Sequence, residues 1–232
     1  GGCEARSVGL ARFLKDYDQK LRDLDLIDAI AKVQSEWKPK QKSEFSVLKE
    51  LSAFSVSMDV VERRLNLVPI EKSQFAIDYL NSRQIGIFKE FFRYSPSEKK
   101  IYIFNLDSTG KNAVGFQISR FTGPNKYISF NLEKLREKCG LSSLPLEKKD
   151  KLNRLSLYFG ILRADFSQKV TIFEGFIDSL FIRNSIAITG IKKSLEELNG
   201  LNFRFMFDND KDGIEASIKL LKKRKSIFKI TR

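Results

Sequence analysis

Residues 170–213 constrain the fold of this chain more than any other stretch. An apolar run at 170–173 stops at Glu174 and Gly175, and a second apolar run at 203–207 stops at an acidic segment that begins with Asp208. In an open α/β sheet, ligands bind outside the carboxyl ends of the strands. Two strands that each end in acid therefore predict a group of carboxylates at one edge of a parallel sheet.

The order of apolar runs and polar breaks after residue 170 supports this sheet. Strand-like and helix-like segments alternate, which is typical of a parallel sheet flanked by helices. The predicted strands are residues 170–173, 185–189, 202–207 and 226–230, and the predicted helices after the second and third strands are 194–198 and 213–223.

The acidic residues suit a divalent cation. Asp208 and Asp210 are two residues apart, so both side chains point the same way from an extended backbone. Together with Glu174 they form a set of carboxylates that repel one another unless a cation lies between them. Mg²⁺ fits because it takes few protein carboxylates and bridges phosphate oxygens, so the sequence predicts phosphoryl-transfer chemistry.

Other interpretations of these acids explain less of the pattern. Acids at strand ends also cap helices and stay solvated. An EF-hand loop shares the spacing Asp208-x-Asp210-x-Asp212-Gly213, but its twelfth position is Lys219 where a Glu is needed. The chain has neither a GxxxxGK[ST] nor a GxGxxG motif, and the absence of histidine excludes Ser-His-Asp and His-based zinc catalysis.

The residues before 166 predict a mixed α+β part. Polar residues with a proline at 35–46 are typical of a linker, and the segment Asp107–Gly110 has the composition of a hairpin turn. Residues 152–162 are apolar and fit either a helix or a strand. The helical stretches are residues 7–34, 73–83, 87–92 and 132–139, with a partly helical segment at 47–67, and the strands are residues 100–106, 113–121 and 126–130.

Charge and cysteine content limit the partners and the setting. The net charge is +13, which suits a polyanion held through its phosphates. The two cysteines, Cys3 and Cys139, indicate neither a disulfide framework nor a complete zinc site, so a reducing setting is expected. No run approaches the length of a membrane helix, and no secretory signal is evident.

The segments VTIFEGFIDSL, SIAITG and FRFMFDNDKDG resemble the Toprim domain of topoisomerases, DnaG-type primases and some nucleases, over residues 168–232. The resemblance implies that Glu174, Asp208 and Asp210 are catalytic and bind the metals. Asp178 matches the second acid of the first motif, and Asp212 is similar to the topoisomerase version of the second motif. The implied metal set is therefore all five acids.

The preceding half resembles the amino-terminal part of a DnaG-type or phage primase core. The similar segments are YLNSR at 79–83, VGFQISR at 114–120, KYIS at 126–129 and LYFG at 157–160. The resemblance implies that basic residues of this half hold template and nucleotide phosphates. The residues that match or lie near such positions are Arg83, Arg120, Lys126 and Arg154, with Tyr127 beside them.

The resemblance implies an α/β fold in three parts. Residues 1–46 would be a helical linker and the end of a zinc-binding domain, 47–165 the basic α+β half, and 166–232 a Rossmann-like Toprim domain. The implied activity is a primase, a DNA-directed RNA polymerase of bacterial or phage type that uses Mg²⁺ or Mn²⁺. Zinc is expected only with the amino-terminal domain.

The partners implied by the same resemblance are a single-stranded DNA template, ribonucleoside triphosphates and a replicative helicase, in the cytoplasm and with no membrane. Two alternatives stay open. A Toprim nuclease would use the same metals to cut nucleic acid, and a fragment without activity would only bind it. A topoisomerase also needs a nucleophilic tyrosine on a separate domain, which the sequence does not indicate.

Overall fold

The β-type runs of the chain form two sheets. A computed structural model describes residues 46–119, 127–188 and 202–207, together with Ile218, and all of them belong to one compact unit, residues 40–232. The predicted elements at 7–34, 194–198 and 226–230, the linker up to residue 45, and all but one residue of the predicted helix 213–223 lie outside these residues.

The first part of the chain holds a mixed set of short helices and antiparallel strands. Its elements are α1 Ser46–Ala53, β1 Val56–Ser57, α2 Met58–Leu65, β2 Val68–Pro69, a 3₁₀ turn Ile70–Lys72, α3 Gln74–Ser82, a 3₁₀ segment Gly86–Phe91, β3 Phe92–Ser95, β4 Lys100–Leu106, β5 Asn112–Ser119 and β6 Tyr127–Phe130. The later elements are α4 Leu132–Lys138, α5 Leu146–Ser156, β7 Tyr158–Phe159, β8 Val170–Phe173, α6 Phe176–Leu180, β9 Ser185–Ile188 and β10 Phe203–Met206.

The first sheet is antiparallel and has the order β1-β5-β4-β3-β2, with β6 also paired to β5. The predicted turn between β4 and β5 is confirmed, because Asp107 Oδ1 accepts hydrogen bonds from the backbone N–H and the hydroxyl of Thr109 at 3.2 and 2.8 Å. Gly110 has a φ of 72°, a conformation that favours glycine. Local side-chain chemistry therefore fixes the longest strand pair of the described chain.

The second sheet has the order β10-β8-β9-β7. The central strand β8 runs parallel to both β10 and β9, so the predicted parallel arrangement after residue 170 is confirmed for these three strands. β7 pairs antiparallel with β9. This mixed α/β architecture agrees with the predicted fold class.

Several elements differ from the sequence-based expectation. The stretch 152–162, which fits either type, divides between the end of α5 and β7. The predicted helix at 87–92 is a 3₁₀ segment with a non-helical residue at Phe88, followed by strand β3. The aromatic run at 91–92 has no alternation, so only pairing with β4 identifies Phe92 as the start of a strand.

A single buried asparagine joins the two sheets. Asn105 on β4 is 1% exposed, and its Nδ2 donates to the backbone oxygens of Ser156 and Tyr158 at 2.9 and 3.0 Å. Its Oδ1 accepts from the N–H of Gly160 at 2.9 Å. One side chain on the first sheet thus bonds to three backbone groups between the end of α5 and the residue after β7.

The same junction depends on close backbone approach at Gly115, which pairs with Asn105 across β4 and β5. A Cβ at this position would lie 2.8 Å from the backbone oxygen of Ser156 and 2.9 Å from that of Phe130. Both neighbours are backbone atoms that cannot rotate away. A larger residue would therefore force α5 and β6 away from the sheet.

Replacement of Asn105 by alanine should destabilise the protein strongly, because it removes three hydrogen bonds that a buried side chain makes to the backbone of residues 156, 158 and 160. We expect a loss of about 3 kcal/mol or more in the free energy of unfolding, measured by urea denaturation. The matched control is Asn81→Ala at an exposed position of α3, expected to change stability by about 0.5 kcal/mol or less. Equal effects of the two changes would contradict the role given to Asn105.

Candidate metal and nucleic-acid site

The strands that precede the two acidic segments lie side by side. β8 and β10 are parallel, and their last paired residues are Phe173 and Met206. Glu174 follows the first of these residues directly, and Asp208 follows the second by two positions in the sequence. Asp208, Asp210 and Asp212 themselves lie outside the described residues.

Glu174 is half-buried and is followed by a deeply anchored residue. Phe176 is 6% exposed and belongs to the same core as the first sheet. Its ring centroid lies 5.9 Å from that of Phe91, 6.1 Å from that of Phe92 and 4.4 Å from that of Phe159. The backbone at Glu174 is therefore held between a central strand and a packed aromatic ring.

Gly175 provides space for the second acid of the motif. It precedes α6, and a Cβ built on it would overlap Oδ2 of Asp178. The carboxylate of Asp178 therefore lies against the bare α-carbon of Gly175. The spacing Glu174-Gly175-x-x-Asp178 has a steric reason, because the Asp178 side chain occupies this position only when residue 175 lacks a side chain.

These residues fit a hard divalent cation as far as they are described. Glu174 is half-buried and Asp178 is exposed, and both offer the carboxylate oxygens that Mg²⁺ prefers. The ranges 46–119, 127–188 and 202–207 contain no cluster of three His, Cys, Asp or Glu residues that could hold a metal by themselves. A complete ligand set would need acids from 208–212.

A second group of polar side chains lies where the end of α3 meets the last residue of β5 and the first residue of β6. We call it the tyrosine cluster. It consists of Tyr79, Arg83, Ser119 and Tyr127. The hydroxyl of Tyr127 accepts from Arg83 Nη2 at 3.1 Å and lies 3.2 Å from the hydroxyl of Tyr79. The Tyr79 hydroxyl in turn lies 3.4 Å from Ser119 Oγ.

Helix and sheet geometry together assemble the tyrosine cluster. Tyr79 and Arg83 are four residues apart at the end of α3, so they lie on one face. Ser119 pairs directly with Tyr127 between β5 and β6. Burial, followed by the hydrogen bond with Tyr79, raises the pKa of Tyr127, and together they outweigh the lowering effect of Arg83. The phenol of Tyr127 therefore stays protonated.

The predicted nucleic-acid residues have different places. The structure brings Arg83 and Tyr127 together, whereas Arg154 is exposed on α5, a helix that packs against α1 and α4. Arg120 and Lys126 lie outside the described residues, although each is adjacent in sequence to a member of the paired positions Ser119 and Tyr127.

Three residues that help to form these sites were not among the site residues predicted from the sequence. Tyr79 is one helical turn before Arg83, a spacing that could have suggested it. Ser119 is revealed only by the strand register, which no local pattern encodes. Phe176 lies inside the acidic motif, but its packing partners come from distant segments, so its anchoring role depends on the tertiary fold.

The sequence matches no known protein-family profile and no curated protein. Among solved structures, the chain is similar to the zinc-binding and RNA polymerase domains of the Aquifex aeolicus primase, with 16% identity and a TM-score of 0.35, over 73% of this chain and 44% of that one. It is similar to the DnaG catalytic core with 15% identity and a TM-score of 0.35, over 84% and 64% of the two chains.

A DNA primase domain from Pseudomonas aeruginosa gives 15% identity and a TM-score of 0.35, over 83% of this chain and 63% of that one. The chain thus spans 44 to 64% of the length of these structures. A TM-score of 0.35 is too low to assign a fold or an activity by similarity. None of the described helices is long and apolar enough to cross a membrane.

Gly175→Ala should displace the carboxylate of Asp178, since the new methyl group would occupy its position. Asp178 can rotate outward, so the free energy of unfolding should change by about 1 kcal/mol or less. Affinity for Mn²⁺, measured by electron paramagnetic resonance, should fall about tenfold, as it should in Asp178→Ala. The double variant should be no weaker than either single one, and additive losses would show that the two residues act separately.

Proposed function

We propose that this chain is a metal-dependent nucleotidyltransferase of the primase type, which makes short RNA primers on single-stranded DNA. The supporting observation is the parallel register of β8 with β10, which sets the strand ends before Glu174 and Asp208 beside each other. Acids at adjacent strand ends form one site at the edge where α/β sheets bind ligands.

The acids would hold Mg²⁺, or Mn²⁺ in its place. Glu174, Asp208 and Asp210 are the proposed ligands, with Asp178 and Asp212 as further carboxylates. When bound, the cation supplies positive charge that compensates the developing charge on a phosphoryl group. The anchored backbone on both sides of Glu174 keeps this carboxylate in place before substrate arrives, which limits the reorganisation needed during reaction.

The tyrosine cluster would hold the phosphates of the template or the nucleotide. Arg83 is positioned by a hydrogen bond to a neutral phenol, and it forms no ion pair within the described part of the chain, so its charge stays available to an anion. Arg120 and Lys126, which flank the paired residues Ser119 and Tyr127 in sequence, would add two more cations. The net charge of +13 favours such a polyanionic partner.

The proposed function also implies further partners and a cellular setting. A zinc-binding domain and a replicative helicase would act together with this catalytic site. The setting would be the replisome in the cytoplasm of a bacterium or of a phage-infected host.

The decisive assay is primer synthesis on single-stranded DNA with labelled ribonucleotides and Mg²⁺. The wild-type chain should give short RNA products, and Glu174→Gln and Asp208→Ala should abolish them while circular dichroism shows an intact fold. The matched control is Asp59→Asn, at an exposed acid of α2, which should retain activity. Activity in either site variant would overturn the proposal, and metal-dependent degradation of the template would establish a nuclease instead.

Measurements of single-stranded DNA binding should distinguish the contribution of the Arg83 charge from that of the hydrogen bond by which Tyr127 positions it. Arg83→Ala should reduce the slope of log affinity against log salt concentration by about 1, because one phosphate contact is lost. Tyr127→Phe should weaken binding several-fold at unchanged slope, since the cation remains but its hydrogen-bond acceptor does not. Fluorescence anisotropy at several salt concentrations measures both quantities.

The control for this experiment is Lys111→Ala, which removes an exposed cation from the turn between β4 and β5. Its slope and affinity should equal those of the wild type. A slope change in Lys111→Ala as large as that in Arg83→Ala would mean that DNA contacts the basic surface without regard to the tyrosine cluster.

A further inference from the structure

The buried side-chain amide of Gln117 on the first sheet has a hydrogen-bond partner for its nitrogen but none, among the described residues, for its oxygen. Gln117 on β5 is 5% exposed, and its Nε2 donates to Ser129 Oγ at 3.0 Å. Its Oε1 accepts no hydrogen bond from the residues that the structure describes. Buried polar groups in proteins are almost always paired, so an amide with an open end inside a sheet calls for a ligand or a water.

The position of Gln117 is given by the strand register. Phe92, Ile103, Gln117 and Ser129 form one row across β3, β4, β5 and β6. Ser119 and Tyr127 form part of the row two residues further along. Side chains at i and i+2 share a face of a sheet, so the Gln117–Ser129 pair and the tyrosine cluster lie on the same face.

This face connects the two candidate sites. At one end of the row, Phe92 packs against Phe176, two residues beyond Glu174. At the other end, Ser129 on β6 is two residues from Tyr127, which accepts the hydrogen bond of Arg83. Adjacent strands are about 4.8 Å apart, so Gln117 lies roughly 10 Å from the strand that carries Phe92. That span is comparable to the length of a nucleoside.

We propose that Gln117, supported by Ser129, contacts a sugar hydroxyl of the nucleotide and makes the site selective for ribonucleotides. This inference rests on the proposed nucleotidyl-transfer function. The open Oε1 of Gln117 needs a donor and the Ser129 hydroxyl needs an acceptor, so the matching group must both donate and accept, which a sugar hydroxyl does and a base carbonyl or amine does not. The hydroxyl of half-buried Ser129 accepts from Gln117, so it can donate its own hydrogen to the same sugar.

A 2′-hydroxyl is the group that distinguishes ribonucleotides from deoxyribonucleotides. A site that leaves a buried amide unpaired when this hydroxyl is absent rejects the deoxy analogue, because the polar group then has no partner. Gln117 would therefore determine specificity through binding, and it would leave the chemical step to the acidic residues.

The test uses Gln117→Met, which keeps the size of the side chain and removes its hydrogen bonding. Affinities for GTP and dGTP with Mg²⁺ are measured by isothermal titration calorimetry, which needs no turnover. We expect the wild type to prefer GTP about tenfold, the effect of one good hydrogen bond. Gln117→Met should bind GTP as weakly as dGTP, with its affinity for dGTP unchanged.

Two further variants keep the test clear if Gln117→Met fails to fold. Ser129→Ala removes the supporting hydroxyl and should lower the preference for GTP in part. Gln74→Met, at an exposed glutamine of α3, is the matched control and should keep the wild-type preference. In primer synthesis, Gln117→Met should raise KM for ribonucleotides and leave kcat close to the wild-type value.

The outcomes separate this inference from the proposed function. An unchanged GTP preference in both Gln117→Met and Ser129→Ala overturns the inference, because a buried water then satisfies the amide, while primer synthesis by the wild type keeps the proposed function. A wild type that binds neither nucleotide and makes no primer overturns both. A wild type that binds and incorporates GTP and dGTP equally overturns the inference alone.

Discussion

The three hydrogen bonds made by Asn105 determine where the second sheet lies. They fix the point at which α5 ends and β7 begins, and β7 pairs with β9, which pairs with β8. The candidate metal site follows β8, so its position depends on Asn105, a buried side chain of the first sheet. The bonds contribute strongly in this place because Asn105 is buried, where water competes little for its hydrogen bonds.

Aromatic packing also holds the second half of the chain against the first sheet. Phe159, Phe173 and Phe176 come from the second half of the chain but belong to the core cluster of the first sheet. Glu174 and Gly175 therefore lie between a buried strand and a buried ring, which differs from the usual placement of functional residues on mobile loops. The guanidinium of Arg83 is also held in place, in its case by the hydrogen bond to Tyr127.

Much of the fold could be predicted from local patterns, and the rest could not for physical reasons. The β4–β5 hairpin, α3 and the parallel strands β8 to β10 have clear periodicity or sharp polar ends, which are properties of neighbouring residues. The two-residue strands β1, β2 and β7 are too short for any period, and the first turns of α5 are so rich in charge that they carry little apolar signal. The prediction of acids at the sheet edge rests on spacing alone, and Asp208, Asp210 and Asp212 lie outside the described residues. The Gln117–Ser129 pair and the contact between Tyr79 and Tyr127 require strand register and helix docking, which depend on residues far apart in sequence.

The parallel arrangement around β8 has a consequence for synthesis of the chain on the ribosome. The β4–β5 hairpin joins neighbours in sequence and can form as soon as it emerges, whereas β8 is translated before either of its partners. Until residues 203–206 have left the exit tunnel, the central strand of the second sheet has an unpaired edge, which is open to other chains. The pairing of β8 with β10 is consequently the last part of the described fold that a nascent polypeptide can complete.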